Sequence, residues 1–502
     1  MSKNLAALLA LCECESGESF RDLPVAGICY DSRQAQQDFL FVAIKGQHTD
    51  GHHHIQDAIN RGAMAVIFDH EVTIRQPGIA YIRVKDSRRA LSILSAAFHD
   101  FPADKLKLIG VTGTDGKSST VWFIHQLLTG CEIAAGFLST IQYMSGGAVQ
   151  PNPYRQSTPE ALEINSILNT MVVNGLETAV LEATSHGLSR KTGRLADISF
   201  SSAVLTNISH EHLEFHGTFE QYKSDKANLF RQLRRDRNAF GVVNINDSQY
   251  EYFAEAAAAP VFTYGLENSR ADMQAVIKEA AITHSVFKLT YAGYEYTTRL
   301  NIAGSYNVEN LLAALLTVHR LHGIGLQTLV PLVPGITAPP GRLFSVEMGQ
   351  PFTVIVDYAH TPNAFENLFR LIRPLTSEKL ISVFGSAGER DIIKRPLQGR
   401  IASQYSDIVI LTDEDPRAED PRKILGEISA GCSGLEQGKT LFLIPDRKEA
   451  IRYALNIASE GDTVLLLGKG HETSIIYADR AVAWNEIEVC RELLSGMLFN
   501  RK

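Results

Sequence analysis

The chain has 502 residues, 45% of them hydrophobic and 21% charged, which is long enough for roughly three domains and apolar enough for them to fold. Its formal net charge of −8 gives no basic surface for phosphate backbones, so we expect no nucleic-acid partner. Its six scattered cysteines fit no disulfide or zinc pattern, and no apolar run approaches the ~18 residues of a membrane span. We therefore expect a cytoplasmic protein with reduced thiols, no membrane insertion and a monomeric state.

In chain order, the first predicted unit is residues 1–103, where short strands such as FLFVAI alternate with helical stretches such as HIQDAINRGA. The second, residues 104–336, begins with the apolar strand LKLIGVTG and continues through TAVLEATSHG and SSAVLTNISHEH. Each of these runs ends in polar residues, which is typical of parallel strands whose carboxyl ends hold a site. Prolines and glycines cluster in PLVPGITAPPGR, where the unit is expected to end.

The third predicted unit, residues 337–502, contains five apolar strands with helical segments between them: TVIVDYAH, KLISVFGSAGERD, DIVILTDEDPR, TLFLIPDR and TVLLLGKGHE. Every strand ends in polar or charged residues. This pattern predicts a doubly wound, Rossmann-like sheet that binds ligands at its carboxyl edge. The predicted fold is therefore α/β with three domains: a small α/β domain, a central ATPase-like parallel-sheet domain and a C-terminal doubly wound domain.

The stretch GVTGTDGKSST, residues 110–120, departs from the usual phosphate loop G-x-x-x-x-G-K-[ST], because Val111 stands where the first glycine belongs. It nevertheless follows a buried strand and opens the helix SSTVWFIHQLL, which is the context that a phosphate loop requires. Lys117 would neutralise phosphate charge and the Ser118 hydroxyl would hold Mg²⁺. The residues predicted to surround the phosphates are Gly113, Thr114, Asp115, Gly116, Lys117, Ser118 and Ser119.

The variant spacing resembles the ATP loop G-x-x-G-T-[ND]-G-K-[ST] of the Mur ligase family and its folylpolyglutamate synthetase relatives. Further family-like motifs follow in order over nearly the whole chain: DSR and LFVA, STPEALEI, LEATSHGLSRKTGRL, LTNISHEHLEFHG, KANLF, GSYNVENLLAA, PPGR, VDYAHTP, GERDIIKRP, DEDPRAEDP and GKGHE. The first of these is similar to the uridine-nucleotide domain of the MurE branch. The resemblance implies an ATP- and Mg²⁺-dependent ligase that adds a diamino acid to UDP-MurNAc-L-Ala-D-Glu through an acyl phosphate, in peptidoglycan precursor synthesis.

The resemblance also implies roles for individual residues. Magnesium would be bound by Ser118, Glu182, His212 and Lys226, the last as an N-carbamate made from CO₂, because a carbamate can ligate a metal and an ammonium cannot. The UDP-linked substrate would contact Ser32, Ser157, Thr158, Thr184, Ser185 and Arg190. The remaining ATP contacts would be Asn307, Asn310, Arg342, Asp357 and His360. Without the family, Glu182 and His212 would also pass as ordinary polar residues at strand ends, and Lys226 as a solvated helix lysine with Lys223 as its neighbour.

Some positions depart from the family pattern. Glu211-His212 replaces the usual Asp-His and keeps the charge, whereas Thr192 replaces an arginine, which leaves open which nearby basic residue contacts the muramoyl substrate. The run His52-His53-His54 has no other ligand cluster near it in sequence, so a solvated turn is favoured over a metal site there.

The diamino acid stays open between meso-diaminopimelate, lysine and ornithine. EDPR occupies the place of a D-N-P-R motif that grips the distal end of meso-diaminopimelate, and Arg417 is a cation suited to a second carboxylate. Glu414 and Asp415 would instead favour a bare ammonium and repel that carboxylate. Arg390, Gly468 and Glu472 are expected to hold the amino acid's backbone carboxylate and amine.

Two other functions compete. A folylpolyglutamate synthetase shares the loop and the carbamate-lysine pattern but normally starts close to its phosphate loop, whereas here about 100 residues with DSR and LFVA precede it. A nucleotide-dependent switch protein would need no second-site residues, and the chain lacks the guanine-reading motif N-K-x-D.

Overall fold

The computed structural model describes residues 2–14, 23–46, 49–72, 75–154 and 156–499. The chain forms two compact units. The first comprises Met1–Gln274, Tyr291–Gly293 and Glu309–Val330. The second comprises Ala275–Thr290, Tyr294–Val308 and Pro331–Lys502.

The first unit begins with a four-stranded parallel sheet whose strands neighbour one another in chain order. The strands are Gly27–Cys29, Phe39–Val42, Ala63–Phe68 and Ala80–Arg83. One face packs against helices Leu5–Leu9 and Ser87–Phe98 and the other against helix Ile55–Asn60, so the sheet is buried on both sides. The short strands Lys3–Asn4 and Pro24–Val25 form a separate antiparallel pair.

The histidine run lies in this region, in the 3₁₀ helix Gly51–His54. His53 is exposed, as a solvated turn requires. The prediction is wrong for His52, whose side chain is only 8% exposed and contacts Asp50 and Asp69. Asp69 comes from the end of strand Ala63–Phe68, which the sequence pattern did not connect with the turn.

The larger sheet of the first unit contains six parallel strands, with a short antiparallel extension at one edge. In spatial order the strands are Gln150–Pro151, Gln142–Met144, Ala135–Leu138, Thr178–Glu182, Lys107–Thr112, Ser202–Leu205, Phe240–Asn244 and Val261–Leu266. Its helices are Lys117–Gly130, Ala161–Val173, Ser185–Leu188, Leu213–His216, Phe219–Arg231, Tyr250–Ala256 and Leu326–Leu329. Because parallel strands end at one edge, the loops after Thr112, Glu182 and Leu205 come together there.

Three consecutive strands follow: Met273–Ala280, Ser285–Tyr291 and Tyr294–Leu300. Helix Ser305–His322 comes next and begins where the sequence predicted it. The remaining 3₁₀ helices are Ser32–Gln34, Pro102–Lys105, Val330–Gly335 and Arg373–Leu375.

The C-terminal sheet of the second unit has six strands, in the order Phe344–Ser345, Thr353–Asp357, Thr463–Leu467, Leu380–Phe384, Ile408–Leu411 and Leu441–Leu443. Five of them are parallel, and only the short first strand is antiparallel. Helices Pro362–Ile372, Lys394–Tyr405 and Pro421–Ser429 pack in one core cluster, and helices Arg447–Ile457 and Glu486–Phe499 in another. Strands Ser474–Ile476 and Ala481–Ala483 form a hairpin. The predicted doubly wound sheet is confirmed.

The three main sheets thus confirm the predicted α/β class with three sheet-containing regions. Among the helices that the structure describes, none is both long and apolar enough to cross a membrane.

Candidate active site

The phosphate loop lies between buried strand Lys107–Thr112 and helix Lys117–Gly130, as the sequence predicted. Gly113 and Gly116 have φ values of 149° and 81°, which side chains rarely adopt. A Cβ atom at Gly113 would lie 1.8 Å from Thr206 Oγ1, and one at Gly116 would lie 2.3 Å from Asn310 Oδ1. Both glycines are therefore required by backbone conformation and by close approach of neighbouring side chains.

Polar contacts hold the loop in shape and place its lysine over it. Thr114 Oγ1 lies 3.0 Å from the Tyr222 hydroxyl, and the exposed Asp115 is fixed through its backbone N–H, which donates to Asn207 Oδ1 at 3.0 Å. Lys117 Nζ donates to the carbonyls of Gly113 and Thr114 at 3.1 and 2.7 Å. The amine therefore lies on the rim of the loop, where it can contact a bound anion.

Ser118 and Glu182 meet at the carboxyl edge of two adjacent strands. Ser118 Oγ donates to Glu182 Oε2 at 2.8 Å, and both side chains are buried. Thr140, which sequence reasoning missed, donates its backbone N–H to Glu182 Oε2 and its hydroxyl to Glu182 Oε1, both at 2.9 Å. A buried carboxylate beside a hydroxyl is the hard oxygen pair that Mg²⁺ prefers, so these two predicted residues fit that ion.

Lys226 extends from helix Phe219–Arg231 to the phosphate loop. Its Nζ donates to the Gly113 carbonyl and lies 4.6 Å from the Tyr222 ring centroid. The side chain is 1% exposed, and burial, followed by the nearby Lys117 charge, lowers the pKa of Lys226 well below its usual value. Lys223, its neighbour on the helix, instead pairs with Glu220 and Gln249, away from the loop.

His212 follows the next strand and has a left-handed backbone, with φ at 54°. Its side chain is 41% exposed, and Nε2 lies 3.6 Å from Glu211 Oε2. The His186 ring stands edge-on to it with centroids 5.0 Å apart. His212 is thus accessible to a ligand, unlike the buried Glu182.

The hydroxyls predicted to contact the UDP-linked substrate differ in how many internal hydrogen bonds they already make. Thr158 is committed internally, because its Oγ1 donates to the Glu182 carbonyl at 2.8 Å and accepts from the Thr184 N–H and hydroxyl at 3.0 Å. Ser157 Oγ lies 2.7 Å from Thr140 Oγ1 and donates to it, because the single Thr140 hydroxyl hydrogen is directed at Glu182 Oε1. Ser32 begins a 3₁₀ helix in the N-terminal region and is 8% exposed.

The basic residues near Thr192 also differ. Arg190, the predicted contact, is exposed. Arg194 is buried and donates to the Thr158 carbonyl and to Glu160, at 3.1 and 2.9 Å. Arg190 is therefore the more accessible of the two arginines, and its substrate role stays a prediction.

A buried chain of three side chains ends at Ser185. His216 Nδ1 lies 2.8 Å from Asp225 Oδ2, and its Nε2 lies 3.0 Å from Ser185 Oγ. Burial lowers the pKa of His216. The carboxylate only accepts, so Nδ1 carries the hydrogen and neutral Nε2 accepts from the serine. Ser185 can then only accept from a ligand. No spacing rule connects these three positions, so the sequence did not reveal the chain.

The two predicted adenine-side asparagines are both 4% exposed. Asn310 in the first unit packs against Gly116, where it closes the back of the phosphate loop. Asn307 in the second unit donates its side-chain amide to the Ala303 carbonyl at 2.8 Å.

In the second unit, Arg342, Asp357 and His360 surround the end of strand Thr353–Asp357. Asp357 accepts from the backbone N–H groups of Leu343 and Ala359, each at 2.8 Å. Burial raises the pKa of this carboxyl. The Arg342 guanidinium lies 5.0 Å from the Tyr358 ring centroid, and His360 Nδ1 is 2.9 Å from the Tyr358 carbonyl. These contacts fix the guanidinium and the imidazole beside the strand end.

The EDPR segment lies at the end of strand Ile408–Leu411. Glu414 is buried, and within the described residues its Oε2 has no hydrogen-bond partner; burial raises the pKa of its carboxyl. Asp415 Oδ1, in contrast, accepts from Lys469 Nζ at 2.9 Å and from the Ile476 N–H at 3.0 Å. The two carboxylates are therefore not equivalent, because Asp415 is paired with the fully buried Lys469. Lys469 lies in the GKGHE motif but was not among the predicted contacts.

Arg417 is half-buried and has a left-handed backbone, with φ at 55°. Its N–H donates to the Ile476 carbonyl at 2.9 Å, and its Nε is buried without a partner among the described residues. A left-handed backbone together with a buried, unsatisfied guanidinium N–H is common at ligand sites.

The remaining predicted amino-acid contacts lie in two places. Gly468 approaches Glu414 so closely that a Cβ atom there would lie 2.8 Å from Oε2. Glu472 pairs with Lys469 at 2.5 Å and accepts from the Tyr358 hydroxyl at 3.2 Å. Arg390 is exposed in the loop before helix Lys394–Tyr405. Gly468 thus approaches the EDPR segment directly, and Glu472 is connected to it through Lys469, which also donates to Asp415.

Comparison with known proteins gives consistent matches along the chain. The family model "Mur ligase family, catalytic domain" matches residues 24–99, "Mur ligase middle domain" matches 111–318, and "Mur ligase, glutamate ligase domain" matches 341–470. Together they take in the phosphate loop, Glu182, Lys226 and the EDPR segment.

Individual relatives match at full length. UDP-N-acetylmuramyl-tripeptide synthetase of Borreliella afzelii is 44% identical over 479 residues, covering 95% of this chain and 94% of that protein. UDP-N-acetylmuramoyl-L-alanyl-D-glutamate–2,6-diaminopimelate ligase of Caldanaerobacter subterraneus is 36% identical over 474 residues, covering 94% and 95%. A solved structure of a ligase with the latter name matches with a TM-score of 0.69 at 28% identity and covers 99% of both chains. The chain therefore belongs to the Mur ligase family and is an ATP-dependent ligase.

Proposed function

We propose that the protein joins a diamino acid to UDP-MurNAc-L-Ala-D-Glu, with ATP, through an acyl phosphate, as a step of peptidoglycan precursor synthesis. The observation that carries the proposal is the contact between Ser118 and Glu182 beside the phosphate loop. Lys226 donates a hydrogen bond to the Gly113 carbonyl of the same loop. The full-length similarity to a tripeptide synthetase supports it. The match to a Mur ligase family model over residues 24–99 supports this substrate over a folate, because the DSR and LFVA motifs in that stretch resemble a uridine-nucleotide domain.

The first step needs a carboxylate to approach the γ-phosphate of ATP, and both are negatively charged. Lys117 lies on the loop rim and supplies one positive charge. Ser118 and Glu182, with His212, would hold Mg²⁺. When bound, magnesium neutralises phosphate charge and reduces the repulsion of the attacking carboxylate. The buried setting of Glu182 strengthens each of these electrostatic contacts.

We also propose that Lys226 is used as its carbamate. Only a neutral amine attacks CO₂, and burial favours the neutral form of this lysine. The amine nitrogen forms a bond to the CO₂ carbon, and one proton leaves to solvent. The product is an anion that can ligate magnesium, in a position where the ammonium would repel it.

Substrate recognition is divided between the two units in this proposal. The first unit supplies Ser32, Ser157 and Ser185 for the UDP-linked dipeptide. The second supplies Arg417, with Glu472, for the diamino acid. Meso-diaminopimelate, lysine and ornithine all stay candidates, because Arg417 offers a cation for a distal carboxylate while buried Glu414 offers a carboxyl group for a distal ammonium.

The domain boundaries 1–103, 104–336 and 337–502 remain part of the proposal. A monomeric state remains a proposal too. We place the reaction in the cytoplasm, since ATP and UDP-linked precursors are its proposed substrates.

The test is a product-mass assay with UDP-MurNAc-L-Ala-D-Glu, ATP and each of the three diamino acids. We expect one amino acid to give a product whose mass is the sum of both substrates less water, and ATP consumption that requires both substrates. Lys117→Ala should abolish turnover without unfolding the protein, whereas Lys105→Ala, an exposed lysine outside the loop, should not. ATP consumption that is indifferent to the UDP-dipeptide would contradict the proposal.

A further inference from the structure

A second cluster of ligand-type side chains lies in the N-terminal region and takes no part in the proposed ligase reaction. Within the described parts of the chain, His52, Asp69 and His70 each offer one ligand atom, and these atoms lie within 4.8 Å of one another. His52 belongs to the 3₁₀ helix Gly51–His54, whereas Asp69 and His70 follow strand Ala63–Phe68. The cluster therefore joins two segments that are distant in sequence.

The hydrogen bonds of His52 determine which nitrogen faces the cluster. Its Nδ1 lies 2.6 Å from Asp50 Oδ1. A carboxylate only accepts, so Nδ1 carries the hydrogen and Nε2 of the neutral ring presents a lone pair. That lone pair accepts from the Asp69 backbone N–H at 3.3 Å and also lies 3.1 Å from Asp69 Oδ1, another acceptor. Two facing acceptors repel unless a cation or a proton lies between them.

The hydrogen bonds of Asp69 likewise determine which of its oxygens faces the cluster. Its Oδ2 accepts from the Ser87 N–H at 2.9 Å, which leaves Oδ1 directed at both histidines. His70 Nδ1 lies 2.5 Å from Oδ1, and the His52 and His70 rings are nearly perpendicular, with centroids 4.6 Å apart. Two imidazole nitrogens thus converge on one carboxylate oxygen.

We propose that His52, Asp69 and His70 bind a divalent transition-metal ion, with zinc as the best match, and that Asp50 orients His52. Two imidazoles and a carboxylate form a common zinc ligand set, and bonds of ~2.0–2.2 Å in a tetrahedron place ligand atoms about 3.3–3.6 Å apart. The His52–Asp69 separation is close to that value. The His70–Asp69 separation must widen, which the 55%-exposed His70 side chain can do by rotation. A carboxylate on the far nitrogen of a ligating histidine is the usual support of such sites.

The ion would have a structural role. It would tie the 3₁₀ helix to the end of strand Ala63–Phe68 and, through Asp69, to the start of helix Ser87–Phe98. The proposal is independent of the ligase reaction, because none of these residues belongs to the proposed catalytic or substrate contacts.

The experiment uses the full chain without an affinity tag, stripped of metal and titrated with Zn²⁺ or Co²⁺ above the ordinary histidine pKa of about 6.5. Excess Mg²⁺ is present to occupy oxygen-rich sites. Bound metal per chain is measured by elemental analysis, and visible absorption of the Co²⁺ form reports tetrahedral geometry. His70→Gln is compared with His53→Gln, a matched variant of an exposed histidine in the same region.

We expect wild type and His53→Gln to bind one more equivalent than His70→Gln, and Asp50→Asn to bind 10–100-fold more weakly. Added Zn²⁺ should raise the melting temperature of wild type and His53→Gln but not of His70→Gln. Equal binding by His70→Gln and wild type, or no imidazole-dependent binding in wild type, would overturn the proposal. The second outcome would mean that a proton, and not a metal, separates the two acceptors.

Discussion

Replacing Glu486 by glutamine tests how the second unit supports its proposed amino-acid site. Arg447 and Glu486 both have fully buried side chains. The Arg447 Nε lies 3.1 and 2.9 Å from the two carboxylate oxygens, and Nη2 lies 2.6 Å from Oε1. The same guanidinium donates to the carbonyls of Asp413 and Leu467, at 3.1 and 2.7 Å. These carbonyls immediately precede Glu414 and Gly468, so the ion pair joins two strand ends of the site.

The expected loss is large, because glutamine removes the countercharge and leaves the guanidinium buried. Removing one partner of a buried pair lowers the free energy of unfolding by about 3–5 kcal/mol. At about 2–4 °C per kcal/mol for a unit of 150–250 residues, the melting temperature should fall by roughly 6–20 °C. We also expect KM for the diamino acid to rise, because the guanidinium that donates to both strand ends loses the carboxylate that holds it in place.

Thermal and urea denaturation of wild type and Glu486→Gln measure the effect. Glu488→Gln is the matched control: Glu488 lies on the same helix and pairs with Arg491 at the surface, where such pairs contribute about 0–1 kcal/mol. Arg447→Met combined with Glu486→Leu should recover part of the stability, because no uncompensated charge remains. The recovery is incomplete because the Asp413 and Leu467 carbonyls lose their donor and the Trp484 indole N–H loses its acceptor. A Glu486→Gln protein as stable as Glu488→Gln would refute this reasoning.

Lys226→Ala should be nearly inactive in turnover assays and partly rescued by short carboxylic acids. Full activity without these acids would show that Lys226 is not a metal ligand. We expect kcat/KM measurements with the three diamino acids to show that Glu414→Gln raises the relative use of diaminopimelate more than Asp415→Asn does, because the Asp415 carboxylate is already paired with Lys469. Arg417→Ala should lower kcat/KM by the equivalent of about 2–5 kcal/mol only if the amino acid carries a distal carboxylate. Unchanged preference in all three variants would show that this segment does not select the substrate. Burial lowers the pKa of His125 from 6.5 to about 4, so unfolding takes up a proton between these values and stability should fall by about 1.4 kcal/mol per unit as pH drops from 6.5 to 4. His125→Phe should remove that slope in pH-dependent denaturation, and parallel curves would contradict the assignment.

Local pattern was sufficient for the elements that carry the site. The sequence pattern predicted strand Lys107–Thr112 and the following helix, because burial on both faces of a strand gives a continuous apolar run. It also predicted the glycines of the phosphate loop, because that loop needs residues without Cβ atoms. The five parallel C-terminal strands were predicted from sequence because they too are continuous apolar runs. The resemblance to the Mur ligase family, now supported by the full-length matches, came from the order of the motifs.

Only the tertiary structure decided which of these residues meet. Strand Thr463–Leu467, the last parallel strand in the chain, lies between the first and second parallel strands of its sheet, and this order places Lys469 against Asp415. The Ser185–His216–Asp225 chain arose in the same way. Hydrophobic periodicity reports the burial of each segment, whereas contacts between distant residues depend on strand order and on side-chain direction. For that reason the sequence alone determined the chemistry available at each strand end, and the fold determined which charges are paired.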